Sequence, residues 1–245
     1  MTRAPAHLTL MRQADDAIDA IDAATQESAL TPLAGAGPDD GRLAHPATRR
    51  RGAETPSLHT AEAQLLGFVA DLLQAPDEAA GLVVAGVTEA AVVVLRGARD
   101  AGPGLKRATV VLPSSAHPAY FAAAETVGLV PVVVPVDLDG RAPLGAMAAA
   151  IHEDTVLVVA SAPSYSHGTV DPVGWLAAAT VAKGVPLHVD ATSGGWAMAY
   201  AERVGRVGPS WGFAVGAVAS VALDVGPETG AAADLTVVIH RDPAG

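Results

Sequence analysis

From Thr60 onward, apolar positions follow two alternating rhythms. Leu65, Leu66, Val69, Leu72 and Leu73 recur at helical spacing after Thr60, a residue suited to capping, and Pro76 closes the run. Residues 81–85 read as a short apolar strand, and Gly86-Val87-Thr88-Glu89 opens an Ala/Val-rich helix reaching about Arg99. The alternation continues with a strand at 108–113 and a helix carrying Pro118 in its first turn and Gly128 beyond its end. Next come a strand at 130–136, a turn at Asp139-Gly140, a helix at 143–151 and a strand at 155–161. A helix then runs from Asp171-Pro172 to Lys183-Gly184, ahead of a strand at 185–189. Two final strands, 217–223 and 235–240, are joined by a short loop. Strands that are unbroken apolar runs are buried on both faces. With helices between them, they predict an α/β fold: three layers, with a mostly parallel seven-stranded sheet and helices on both faces.

Residues 1–56 lack this order and are expected to form an arm or irregular segment ahead of a domain spanning 57–245. Ala14 to Ala24 can form a short acidic helix with Ile18 and Ile21 on one face, whereas Thr31 to Thr55 is rich in Pro, Gly, Asp and Arg. Gly35-Ala36-Gly37-Pro38-Asp39-Asp40-Gly41 has the look of a dinucleotide fingerprint, but no strand precedes it and no helix follows, so that reading is rejected. Arg49-Arg50-Arg51 reads as a solvated patch, with a phosphate or partner contact as the alternative.

Composition narrows the function classes. A formal net charge of −11 argues against non-specific nucleic-acid binding, which needs a basic surface. The absence of cysteine excludes disulfides and thiolate metal sites. The eight histidines are dispersed and none pairs with another at ligand spacing on a helix, so no metal site is expected. No apolar run has the length of a membrane span, and the N-terminus lacks a signal-peptide pattern, so a soluble cytoplasmic protein is the expectation.

Four strand ends carry candidate chemistry, where open α/β sheets place their ligands. Gly86-Val87-Thr88 lies at a helix start, whose free N–H groups and dipole suit a phosphate, although a Thr there also reads as an ordinary cap. His117, in Ser114-Ser115-Ala116-His117-Pro118, can stack on a flat ring, move a proton, or sit in the loop without a role. In the polar loop from Ser161 to Pro172, Ser164 and His167 faintly suggest a nucleophile and base, without an orienting acid, and Asp171 reads as a helix cap. Asp190 ends a buried strand in Leu187-His188-Val189-Asp190-Ala191. It is either a ligand's counter-charge or a turn residue, because a buried unpaired carboxylate is costly.

Taken in order, these segments resemble the large domain of fold type I pyridoxal-phosphate enzymes, closest to the sphingosine-1-phosphate lyase and group II amino-acid decarboxylase branch. Gly86-Val87-Thr88-Glu89-Ala90 resembles the family's Gly-Gly-Thr-Glu-Ser phosphate loop, and Ser115-Ala116-His117 its Ser-Ala-His segment. His188-Val189-Asp190-Ala191, Trp211-Gly212-Phe213 and Val238-Ile239-His240-Arg241-Asp242 match at corresponding intervals. The resemblance implies that Asp190 pairs with the pyridine nitrogen, that His117 and Ala191 lie on opposite faces of the ring, and that Gly86, Val87 and Thr88 hold the phosphate. It places Ser164 and Asp224 in the same cofactor-binding set. It also implies a homodimer and a small amine or amino-acid ligand.

One departure dominates. The family follows its penultimate strand with Ala-Asp-x-His-Lys, whose lysine is the Schiff-base lysine; here the stretch reads Ala222-Leu223-Asp224-Val225-Gly226-Pro227. The chain's two lysines, Lys106 and Lys183, fall ahead of a strand and at the end of a helix, away from the expected site. The phosphate loop is altered at Val87 and Ala90, and the chain stops where the family's small C-terminal domain would begin. The expectation is a catalytically impaired homologue or pseudoenzyme with no catalytic residue of its own, holding pyridoxal 5′-phosphate non-covalently if at all. The alternative is an active lyase or decarboxylase, acting on an amino acid or phosphorylated amine with non-covalently held cofactor.

Overall fold

The structure, a computed structural model, describes residues 58–104, 107–225 and 234–242. The chain divides at Leu65/Leu66 into two compact units, and the whole sheet belongs to the second. The proposed arm at 1–56 and the Gly226-Pro227 position lie outside the described residues.

The elements are α1 (Leu58–Leu72), β1 (Ala80–Val84), α2 (Gly86–Ala101), β2 (Thr109–Pro113), α3 (Pro118–Val127), β3 (Val130–Val134) and α4 (Leu144–Ala150). They continue with β4 (Thr155–Ser161), α5 (Val173–Lys183), β5 (Leu187–Asp190), α6 (Gly195–Arg203), β6 (Val218–Asp224) and β7 (Thr236–His240). Every strand and helix expected from Thr60 onward is present, most with ends moved by one to three residues, while the helix expected at Ala14–Ala24 lies outside the described residues. Helix α1 begins before Thr60, which is therefore inside it and not its cap. Helix α6 was not expected from the sequence: its Gly-Trp-Ala-Met-Ala-Tyr run shows no clear apolar stripe. It packs through Trp196, whose ring lies 5.8 Å from Phe68 and 5.5 Å from Tyr200.

The seven strands form one sheet in the order β1-β7-β6-β5-β4-β2-β3. Pairing is parallel from β6 through to β3, and β7 is antiparallel to both its neighbours. Strand β1 therefore points the same way as β6, and the carboxyl ends of all six co-directional strands share one edge, along with the start of β7. The chain reverses its direction of travel across the sheet between β2 and β4, which are neighbours, and this is where doubly wound sheets open a crevice.

Burial explains the apolar strands. All residues of β2, β4 and β5 are buried. Helices α2 and α3 pack together over one part of the sheet. Val94, Leu95, Val110, Leu112, Tyr120 and Val159 are central to the core beneath them. Close approach at the start of α6 depends on glycine: a Cβ on Gly195 would lie 2.5 Å from the Ala191 methyl and 3.0 Å from Leu223.

Candidate cofactor site

At the carboxyl edge, Asp190 is fully buried at the end of β5. Its Oδ1 accepts from the Thr192 hydroxyl at 2.6 Å and the Thr192 N–H at 3.1 Å, an Asx turn. Its Oδ2 is buried without a hydrogen-bond partner. The turn reading of Asp190 is thus met by Oδ1, while Oδ2 has no protein partner. Burial pushes its carboxyl up to about 6, against the opposing pull of the Thr192 bonds.

Asp190 is not alone. The buried side-chain oxygens without partners, among the described residues, are Asp190 Oδ2, Ser115 Oγ, Ser161 Oγ and Thr236 Oγ1. Ser161 ends β4 and pairs in register with Asp190, Ser115 follows β2, and Thr236 starts β7 opposite Asp224. All four lie on the same edge of the sheet, whereas buried polar groups in native proteins normally find partners.

His117 follows β2 and is half-buried as the N-cap of α3. Its Nδ1 accepts from the Ala119 N–H at 3.1 Å, so it is neither a free loop histidine nor oriented at random. Partial burial lowers its basicity. The exposed Tyr165, in the loop after β4, meets its ring edge-on at a centroid distance of 4.5 Å. Ala191 is buried next to Asp190, and its N–H donates to the Ala222 carbonyl at 2.8 Å.

At the end of β1, Gly86 takes φ +80 and begins α2, with Ala85 as N-cap and no side-chain cap. Thr88 is therefore in the first turn and exposed, and the capping reading of that threonine does not hold. The first-turn N–H groups of a helix have no intrahelical partners. Glu89 takes the Ala85 N–H at 2.8 Å, and the Asp234 Cβ and backbone carbonyl, just before β7, lie close to Gly86. Val87 is half-buried, and Asp224 is half-buried at the end of β6.

Two sequence readings of the Ser161–Pro172 loop are corrected. Ser164 is buried and bonded to Thr169, while the exposed His167 bonds Ser166 at 2.7 Å, so Ser164 and His167 do not form a nucleophile–base pair. Asp171 does not cap α5, which starts after Pro172 without a side-chain cap. It accepts instead from the Ala142 N–H at 3.0 Å and the Ser161 N–H at 2.8 Å, tying the loop to the end of β4. Burial raises its carboxyl against the pull of those bonds. Asp171→Ala leaves two N–H groups unpaired and is expected to cost about 2–4 kcal/mol in urea unfolding, with Asp171→Asn recovering part of it.

The sequence did not single out Tyr165, Thr192 or the unpartnered hydroxyls. Their signal was position alone, since each lies at or within a few residues of the end or start of a strand already identified. Among the described residues no cluster of three or more His, Asp or Glu converges on a metal-sized site, and no helix is long and apolar enough to cross a membrane.

Comparison with known proteins supplies the family. The Aminotransferase class-V family profile matches residues 49–199, more than half of the chain. The sphingosine-1-phosphate lyase of Arabidopsis thaliana is 31% identical over 189 residues, covering 74% of this chain and 35% of the lyase. A probable L-tyrosine/L-aspartate decarboxylase of Methanothermobacter thermautotrophicus is 32% identical over 163 residues, covering 66% of this chain and 44% of that protein. The solved sphingosine-1-phosphate lyase of Burkholderia pseudomallei superposes with a TM-score of 0.68 at 30% identity, covering 75% of this chain and 45% of that one. The chain thus spans less than half the length of these relatives. With the sheet order, the family profile and these relatives in agreement, the chain belongs to the class-V aminotransferase family of fold type I pyridoxal-phosphate proteins, related to the sphingosine-1-phosphate lyase and amino-acid decarboxylase branch.

Proposed function

We propose that this chain is a pyridoxal-phosphate-binding homologue of the lyases and decarboxylases that has lost the covalent-attachment lysine, and that it is a catalytically impaired or non-catalytic member of the family. The observation that carries the reading is the set of unpartnered buried oxygens on one sheet edge, with Asp190 Oδ2 among them. A protonated ring nitrogen is a fitting partner for that oxygen: it neutralises a buried carboxylate and satisfies it with a hydrogen bond.

The other groups suit the same ligand. His117 offers an imidazole held by its own cap bond, for one face of a ring, and Ala191 offers a small methyl for the other. Gly86, Val87 and Thr88 present first-turn N–H groups to a phosphate. Ser164 braces the β4 loop through Thr169, and Asp224 stands at the end of β6. When bound, the cofactor supplies an electron-withdrawing ring that stabilises negative charge on an attached carbon. An amine or amino acid is the matching small-molecule ligand, and a homodimer the matching assembly. The loss of the lysine is read from the sequence, where Gly226-Pro227 stands at the family's His-Lys.

Titration with pyridoxal 5′-phosphate, followed by absorbance and then by borohydride treatment and intact mass, tests this. Saturable binding with no stoichiometric mass gain is expected. No saturable binding would remove the cofactor reading. A stoichiometric adduct accompanied by turnover of an amine substrate would remove the impaired-homologue reading and favour an active lyase or decarboxylase.

A further inference from the structure

Beneath the candidate site runs a buried polar chain to which the reading above gives no role. His188, fully buried on β5, meets the Tyr120 hydroxyl through Nε2 at 2.7 Å and Ser220 Oγ through Nδ1 at 2.8 Å. Tyr120 is fully buried in α3 and Ser220 is 3% exposed on β6. Burial, together with nearby His240, drops the imidazole to about 3, so it is neutral. The Tyr120 hydroxyl has no other acceptor among the described residues and therefore donates to Nε2, which leaves Nδ1–H to donate to Ser220.

The location of the chain matters more than its energy. His188 lies two residues before Asp190, on the same face of the strand. Tyr120 lies three residues after His117, in the first turn of α3. Ser220 pairs in register with His188, as Ala222 does with Asp190. The single Tyr120–His188 bond thus ties the first turn of the helix that carries His117 to the strand that carries Asp190. Burial, first, and the charge of Asp190 both push the Tyr120 hydroxyl upward. Three buried polar groups give no more stability than apolar side chains of similar volume, but they fix orientation where apolar contacts can slide.

We propose that Tyr120 and His188 are positioning residues that set the distance between His117 and Asp190, and so the slot for a flat ring between them. The inference rests on the reading of this edge as a pyridoxal-phosphate site.

A double-mutant cycle on the full chain tests it, with pyridoxal 5′-phosphate as the probe. Tyr120→Phe is expected to weaken binding about tenfold when His117 is present and less than twofold in the His117→Ala background. Without ligand, NMR titration of the His117 ring should show its basicity, lowered in wild type, returning towards the ordinary value in Tyr120→Phe as the helix end becomes more solvated. Equal weakening in both backgrounds, or a His117 titration that does not move, overturns the proposal. If wild type binds no pyridoxal phosphate yet the His117 titration still shifts, the cofactor reading fails and the clamp stands. Should Tyr120→Phe not fold, Ser220→Ala unties the other end of His188 and is read by the same two criteria.

Discussion

Asp190→Asn is expected to strengthen the ligand-free fold at pH 8 while weakening pyridoxal-phosphate binding at least tenfold. The first effect follows from the buried carboxyl, pushed up to about 6 in the fold. In the unfolded chain an aspartate titrates near 4, so between about pH 4 and 6 the folded state holds more protons. Wild-type stability contributed by the neutral acid is present below pH 4 and is lost as pH rises through 6. Asparagine stays neutral throughout and avoids that loss, worth about 3 kcal/mol at pH 8 and shrinking towards zero near pH 4. Urea unfolding of both proteins across that range measures the difference.

The binding effect has the opposite sign because the same charge that strains the empty fold is what a ring cation needs. Removing one member of a buried ion pair costs several kcal/mol, which makes tenfold a lower bound. Absorbance titration reads it directly. An asparagine variant that bound as tightly as wild type would show that Asp190 Oδ2 does not face the ligand.

Pro227→Lys is expected to give a stoichiometric borohydride-stable adduct with pyridoxal phosphate where the wild-type chain gives none. Position 227 is the third residue after Asp224, which ends β6 at the edge where Asp190 ends β5. An amine placed there supplies the nucleophile and proton carrier that Gly226-Pro227 lacks, and groups of that kind are worth orders of magnitude in rate. Intact mass with and without borohydride decides the matter. If the variant binds pyridoxal phosphate as wild type does but gains no mass, residue 227 does not stand where the family's lysine stands.

The strands were legible because each is a continuous apolar run too short to be a buried helix, and β4 was bounded correctly to the residue. Asp190 was legible because a charged residue ending such a run has to be accounted for. Helix α6 was not, since alanine, glycine and aromatics in its first turns give no stripe, and it meets Phe68 and Leu223 from distant parts of the chain as well as the nearby Ala191. Asp171 was assigned a local task, capping, while its real partners are 10 and 29 residues away. Ser164 and His167 are close in sequence, but their hydrogen bonds go to Thr169 and Ser166. Periodicity reports which way a side chain faces; it carries no information about which distant backbone will meet it.

The reversed strand β7 also acts as a spacer. Because it is inserted between β1 and β6, the start of α2 follows a strand three places from β5, and β2, which leads to His117, is two places away on the other side. At strand separations of about 4.8 Å, those offsets are about 14 Å and about 10 Å. Asp190 and the first turn of α2 are thus rooted on strands that are not neighbours, and a single ligand held by both is met by residues reaching inward from separate strand ends.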